Sequence, residues 1–107
     1  MGEKRSYDIS LEDARILTSR YREFHSGNYR AAFFPKEEIM ELLEQGGCNG
    51  LRIYFGVDDE NKMRVVLVGT EPSDVGEDCG DDMLEKIKDN GLPCPPYSSI
   101  ENDLNSD

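Results

Sequence analysis

A β-hairpin pattern in the middle of the chain decides much of what the remaining residues must do. From Gly50 to Val57 the side chains alternate, with Leu51, Ile53, Phe55 and Val57 on one face and Arg52 and Tyr54 on the other, the period-two signature of a half-buried strand. Asp58-Asp59-Glu60-Asn61-Lys62 forms a polar break, after which Met63 to Val68 resumes with Met63, Val65 and Leu67 on one face and Val66 and Val68 opposite. Two such runs across a short polar loop predict an antiparallel hairpin, 50–57 against 63–68. A lone ribbon is marginal in water, so its apolar face needs cover from elsewhere in the chain.

Two upstream segments carry the pattern that could supply it. Ser10 is a good N-cap with Asp13 at the third helical position, and Leu11, Ala14, Leu17, Tyr21 and Phe24 follow at spacings of three and four. That spacing predicts a helix ending near His25-Ser26-Gly27-Asn28. Pro35 suits a helix first turn, Glu37 and Glu38 suit its positive end, and Ile39, Leu42 and Leu43 make a second stripe with Met40 beside it, stopped by Gly46-Gly47. The aromatic run from Tyr29 to Phe34 is a candidate third strand. The expected fold is therefore α+β: two amphipathic helices packed on a small antiparallel sheet, hairpin 50–57/63–68, with a third strand at 29–34.

Charge locates the less structured parts. The formal charge is −11 over 107 residues, a length that makes one domain. Glu71, Asp74, Glu77, Asp78, Asp81 and Asp82 sit together without a base, and Glu101, Asp103 and Asp107 close the chain, so these acids account for all but −2 of the total. With Pro72, Gly76 and Gly80 interspersed, residues 71–82 read as an acidic loop. Met83 to Asp89 would make about two turns of helix at most, halted at Asn90-Gly91. Leu92-Pro93-Cys94-Pro95-Pro96-Tyr97 is held extended by its prolines and reads as a C-terminal strap. Residues 1–9 read as a disordered lead, 10–100 as the domain, and 101–107 as a disordered tail.

Several function classes lose their requirements here. Nucleic-acid binding needs clustered Lys and Arg, which are lacking. No apolar run approaches the roughly 20 residues of a membrane span. The basic start, Met1 to Ser6, has no apolar stretch behind it and so does not read as a secretory signal; a cytoplasmic protein is the expectation. Met1-Gly2 with Ser6 matches the loose myristoylation template, but a single acyl chain anchors weakly.

Phe33-Phe34, Lys36-Glu37, Leu42-Leu43, Gly47-Cys48, Gly50, Arg52-Ile53-Tyr54-Phe55-Gly56 and Pro93-Cys94-Pro95-Pro96-Tyr97, in that order, resemble a group of small uncharacterised bacterial proteins of about this length. The resemblance spans roughly residues 10–100 and implies a bacterial, non-secreted protein, without implying an activity. Members often carry Cys directly after the Pro-Pro-Tyr tract, where this chain has Ser98, which puts any thiol or metal role of the group in doubt for this chain.

The chemistry-bearing residues are few. Cys48, Cys79 and Cys94 form no C-x-x-C pair. Together with His25, the only histidine, they would have to gather from four separated regions to bind zinc. Cys94 with His25 is the barest outline of a nucleophile and base, and a Cys48–Cys94 disulfide is disfavoured in a reducing compartment. The acidic loop lacks the alternating spacing of a calcium site. Gly46-Gly47-Cys48-Asn49-Gly50 precedes a strand, whereas a phosphate cradle precedes a helix. The reading that needs fewest missing parts is a non-catalytic binding domain with no cofactor or metal and with another protein as partner. It has two contact candidates: the sheet side bearing Arg52, Tyr54 and Arg64, and the strap bearing Cys94 and Tyr97. Two rivals are a thiol- or metal-dependent enzyme using Cys48 and Cys94, and an acidic regulator acting through 71–82.

Overall fold

In the computed structural model, described over residues 6–73, 80–95 and 100–105, seven elements follow in the order α1 (Leu11–Phe24), β1 (Ala31–Phe33), α2 (Lys36–Leu43), β2 (Gly50–Val57), β3 (Met63–Glu71), β4 (Asp81–Lys88) and β5 (Leu92–Cys94). The class is α+β. α1 starts where expected: the Ser10 hydroxyl accepts the Asp13 N–H at 3.0 Å. The hairpin forms as expected, with Val57 opposite Met63 and Gly50 opposite Thr70, so its second strand runs past the expected end at Val68. Its turn is closed by the Asp58 carboxylate, which accepts the N–H groups of Glu60 at 2.9 Å and Lys62 at 3.0 Å.

Two expected elements are corrected. Residues 83–89 are not a helix: Asp81–Lys88 forms β4, antiparallel to β3, so the sheet order is β2-β3-β4. Two isolated helical turns have little stability of their own, whereas the far edge of β3 offers unpaired backbone that this segment satisfies. β3 itself runs on to Glu71, so Glu71, Asp81 and Asp82 belong to strands and not to the acidic loop; residues 74–79, with Cys79, lie outside the described residues. The second correction concerns β1, which does not join the hairpin. It pairs with β5 in a separate two-stranded sheet, Ala31 opposite Cys94 and Phe33 opposite Leu92. The proline-held extended path thus begins as a strand; Pro96 to Ser99 lie outside the described residues.

β3 and β4 are out of step by design of the sequence between them. Val68 pairs with Ile87 and Thr70 with Asp82, so the single residue Gly69 faces residues 83–86. Gly80 turns the chain into β4 with a left-handed φ of 73°, and a Cβ there would lie 2.4 Å from the Glu71 carbonyl oxygen. Only glycine fits that turn.

The core is small: among the described residues, Leu42, Leu67 and Val68 are its buried apolar side chains. α2 packs directly on the sheet at Gly69, where an added Cβ would meet the Leu42 carbonyl oxygen and the Cys48 sulfur at 3.2 Å. Salt bridges from Lys88 to Glu38 and Glu41, and from Lys86 to Glu41, tie the same helix to β4. The expectation that two helices would cover the hairpin fails beyond this point, because Ile53, Phe55 and Val57 are 50%, 78% and 67% exposed. Length explains it. α2 has eight residues, about 12 Å of helix, whereas the eight residues of β2 extend about 27 Å.

α1 does not cover the shortfall, since Leu11, Leu17 and Phe24 of its predicted stripe are exposed and its buried residue is Arg22. The reason lies at the other end of the chain. Residues 103–105 form a turn in the segment expected to be disordered, and the Arg22 guanidinium donates to the Leu104 carbonyl at 2.5 Å. The side of α1 facing that turn is the side that is buried.

Candidate functional site

Between α1, β1 and the turn end of the hairpin lies an open, mostly apolar cleft of about 280 Å³. Leu17, Thr18 and Tyr21 of α1 form one wall, Ala31 and Ala32 of β1 another, and Phe55, Met63 and Val65 of the hairpin the floor. Alternation puts those three floor residues on one sheet face, since Phe55 is paired with Val65 and Met63 lies two residues from Val65. The two alanines matter by being small: larger side chains there would occupy the cleft.

Two clasps hold the walls in place. Asn28 joins the end of α1 to the hairpin turn, its amide donating to the Asn61 carbonyl at 3.1 Å while its oxygen accepts the N–H groups of Met63 and Tyr29, each at 2.8 Å. Lys62 adds a hydrogen bond to the Gly27 carbonyl at 2.6 Å and sits 5.6 Å from the Tyr29 ring centre. At the opposite rim Arg22 and Arg30, which also line the cleft, hold the carbonyls of Leu104 and Asn105. Sequence reading took Asn28 only as a helix stop. An Asn side chain bridging three backbone groups has no local signature, because two of its partners are more than thirty residues away.

Tyr21 is the chemically distinctive residue of the cleft. Its ring stacks on that of His25, centroids 4.6 Å apart, and its hydroxyl is buried without a hydrogen-bond partner. Burial pushes its pKa above the ordinary tyrosine value, so it is a neutral O–H donor at physiological pH. An apolar cleft with one unsatisfied polar group is the usual makeup of a small-molecule site.

The residues singled out from the sequence occupy other places. Arg52 and Tyr54 do share a face, and both reach one carboxylate, Asp82 of β4. Since β3 lies between β2 and β4, the two side chains cross the sheet face that carries Val68 and Thr70, both of which are buried. The hydrogen bond from Tyr54, followed by Arg52, holds the Asp82 carboxyl below its usual pKa, and the same hydrogen bond raises that of Tyr54. This arrangement is a cross-sheet clamp with its polar ends engaged. Arg64 is likewise paired, with Asp89 at 3.1 Å and Asp58 at 3.7 Å. Asp82 was missed because its segment read as loop.

Cys48 and Cys94 are free thiols in separate parts of the fold. The Cys48 thiol, between α2 and β2, donates to the Gly50 carbonyl at 3.2 Å, and Cys94 lies in β5. His25 stands at the end of α1 against Tyr21, and Tyr97 lies outside the described residues. Among the described residues no three of His, Cys, Asp and Glu gather where a metal ion could sit, and no helix is long and apolar enough to cross a membrane. Comparison with known proteins finds no matching family model, no matching curated protein and no matching solved structure.

Proposed function

We propose that this chain is a non-catalytic binding domain of a bacterial cytoplasmic protein, and that the cleft between α1, β1 and the hairpin is where it binds. The occupant is a small, mostly apolar molecule with one acceptor oxygen, of the aryl-ketone or short-ester class. The observation that carries this reading is the buried Tyr21 hydroxyl without a partner at a mostly apolar cleft. Leaving such a group unpaired costs about 1–3 kcal/mol, and a ligand carbonyl recovers it by displacing the side chains that close the hydroxyl off from solvent. A volume of about 280 Å³ holds about nine water-sized groups at ~30 Å³ each, which sets the ligand's size. The C-terminal strap, whose described start Leu92–Cys94 pairs with β1, keeps Ala31 and Ala32 at the cleft wall.

Acetophenone and isopropylbenzene, matched in size and differing in the acceptor oxygen, test the proposal by NMR titration of the labelled protein. A fragment of nine heavy atoms at about −0.5 kcal/mol each binds near the millimolar range. Acetophenone is expected to bind about tenfold more tightly than isopropylbenzene, and Tyr21→Phe to erase the difference. Equal affinities in the unaltered protein, or no saturable shifts at cleft residues, would sink the proposal.

A further inference from the structure

The two edges of the three-stranded sheet are built differently. β4 carries Asp81, Asp82, Glu85, Lys86 and Lys88 and breaks register against β3; charges and irregularity are the devices that keep an edge from pairing with another chain. β2, the opposite edge, has none of them. Its eight residues pair with β3 without a bulge, contain no proline, and include one charge, Arg52, which is bound to Asp82. Along the same strand Ile53, Phe55 and Val57 present exposed apolar side chains on one face. Phe55 alone leaves on the order of 150 Å² in water.

We propose that β2 pairs antiparallel with β2 of a second copy of this chain, joining two three-stranded sheets into one of six strands. The sequence of β2 is complementary to itself in this arrangement. A two-fold axis through the pair at Tyr54 sets Ile53 of each copy opposite Phe55 of the other and Leu51 opposite Val57, all on the apolar face. On the other face Arg52 sits opposite Gly56, which offers no side chain to obstruct it, and diagonal to Asp58 of the second copy, within the reach of cross-strand pairs. Apolar residues thus meet apolar ones, and the strand's one cation nears an acid. An unrelated extended peptide would have to reproduce both matches. The proposal rests on the β2 edge, unpaired among the described residues, and not on the cleft, whose lining includes Phe55 but neither Ile53 nor Val57.

Sedimentation equilibrium across a micromolar concentration series, with hydrogen–deuterium exchange on the same samples, tests it. The full chain is expected at twice the monomer mass at the top of the series, with β2 amides gaining protection as dimer forms and β4 amides unchanged. Ile53→Lys, at a half-exposed site that tolerates a charge, is expected to weaken dimerisation about a hundredfold by setting a lysine opposite Phe55 twice. Val57→Lys serves the same purpose should the first variant unfold, and Leu11→Lys on α1 should leave the dimer intact. A chain that stays monomeric throughout, a dimer indifferent to both β2 lysines, or protection appearing on β4 would each overturn the proposal.

Discussion

Replacing Tyr21 with Phe should make the ligand-free protein more stable. The substitution removes a hydroxyl that is buried without a hydrogen-bond partner and retains the ring that stacks on His25 at 4.6 Å. No donor or acceptor is orphaned by the change, so the usual cost of deleting a buried polar group does not arise. What is recovered is the desolvation cost of an unpaired hydroxyl, about 1–3 kcal/mol. Tyr21 as a whole is only half-buried beside an open cleft, so the lower end applies. A gain of about 1 kcal/mol raises the melting temperature of a domain of this size by about 4 °C and moves the urea midpoint by roughly 0.5 M. Circular dichroism during thermal and urea unfolding measures both. A variant less stable than the parent would mean that the hydroxyl is satisfied, and the argument for an acceptor-bearing ligand would fall with it.

Three further outcomes follow from the packing and the charges. Leu42→Ala, at a fully buried site in a core of few apolar residues, should cost about 3 kcal/mol and shift the urea midpoint by about 1.5 M; a shift below a quarter of that would show α2 to be loosely held. Gly80→Ala should cost about 2 kcal/mol or more, because it combines the penalty of a left-handed φ with a Cβ at 2.4 Å from the Glu71 carbonyl, and an unfolding curve superimposable on the parent's would refute that turn. Glu41 is held down to about 2 by Lys88 and Lys86, so between its ordinary value of 4.5 and about 2 the unfolded chain takes up a proton that the folded chain does not. Its contribution is present above pH 4.5 and fades as pH falls through that window, so Glu41→Gln should flatten the acid limb of the stability profile; an unchanged limb would remove this carboxylate from the account.

The hairpin and both helices were legible because each is specified locally: alternation in 50–57, the Ser10 cap, and the proline and glycines that bracket α2. What the sequence did not disclose depends on partners far along the chain. The segment 83–89 has helix-compatible spacing but lies beside the open edge of β3, and the edge decided its conformation. The stripe of Leu11, Leu17 and Phe24 is well formed, yet the turn at 103–105 and its bonds to Arg22 and Arg30 set a different side of α1 inward. Arg52 and Tyr54 were correctly placed on one face, but Asp82, which engages both, was hidden in a run read as loop. The cleft was invisible for the same reason. It is a gap between α1, β1 and the hairpin, held by the contacts of Asn28 and Lys62, and no single residue announces it.

The central claim is that a ligand enters beneath α1, and intermolecular nuclear Overhauser effects from bound acetophenone address it most directly. The account predicts contacts from the ligand's ring to the methyl groups of Ala32 and Val65 and to the Tyr21 ring, with none to Ile53 or Val57. Contacts confined to the outer edge of β2, or no contacts at saturating ligand, would contradict it.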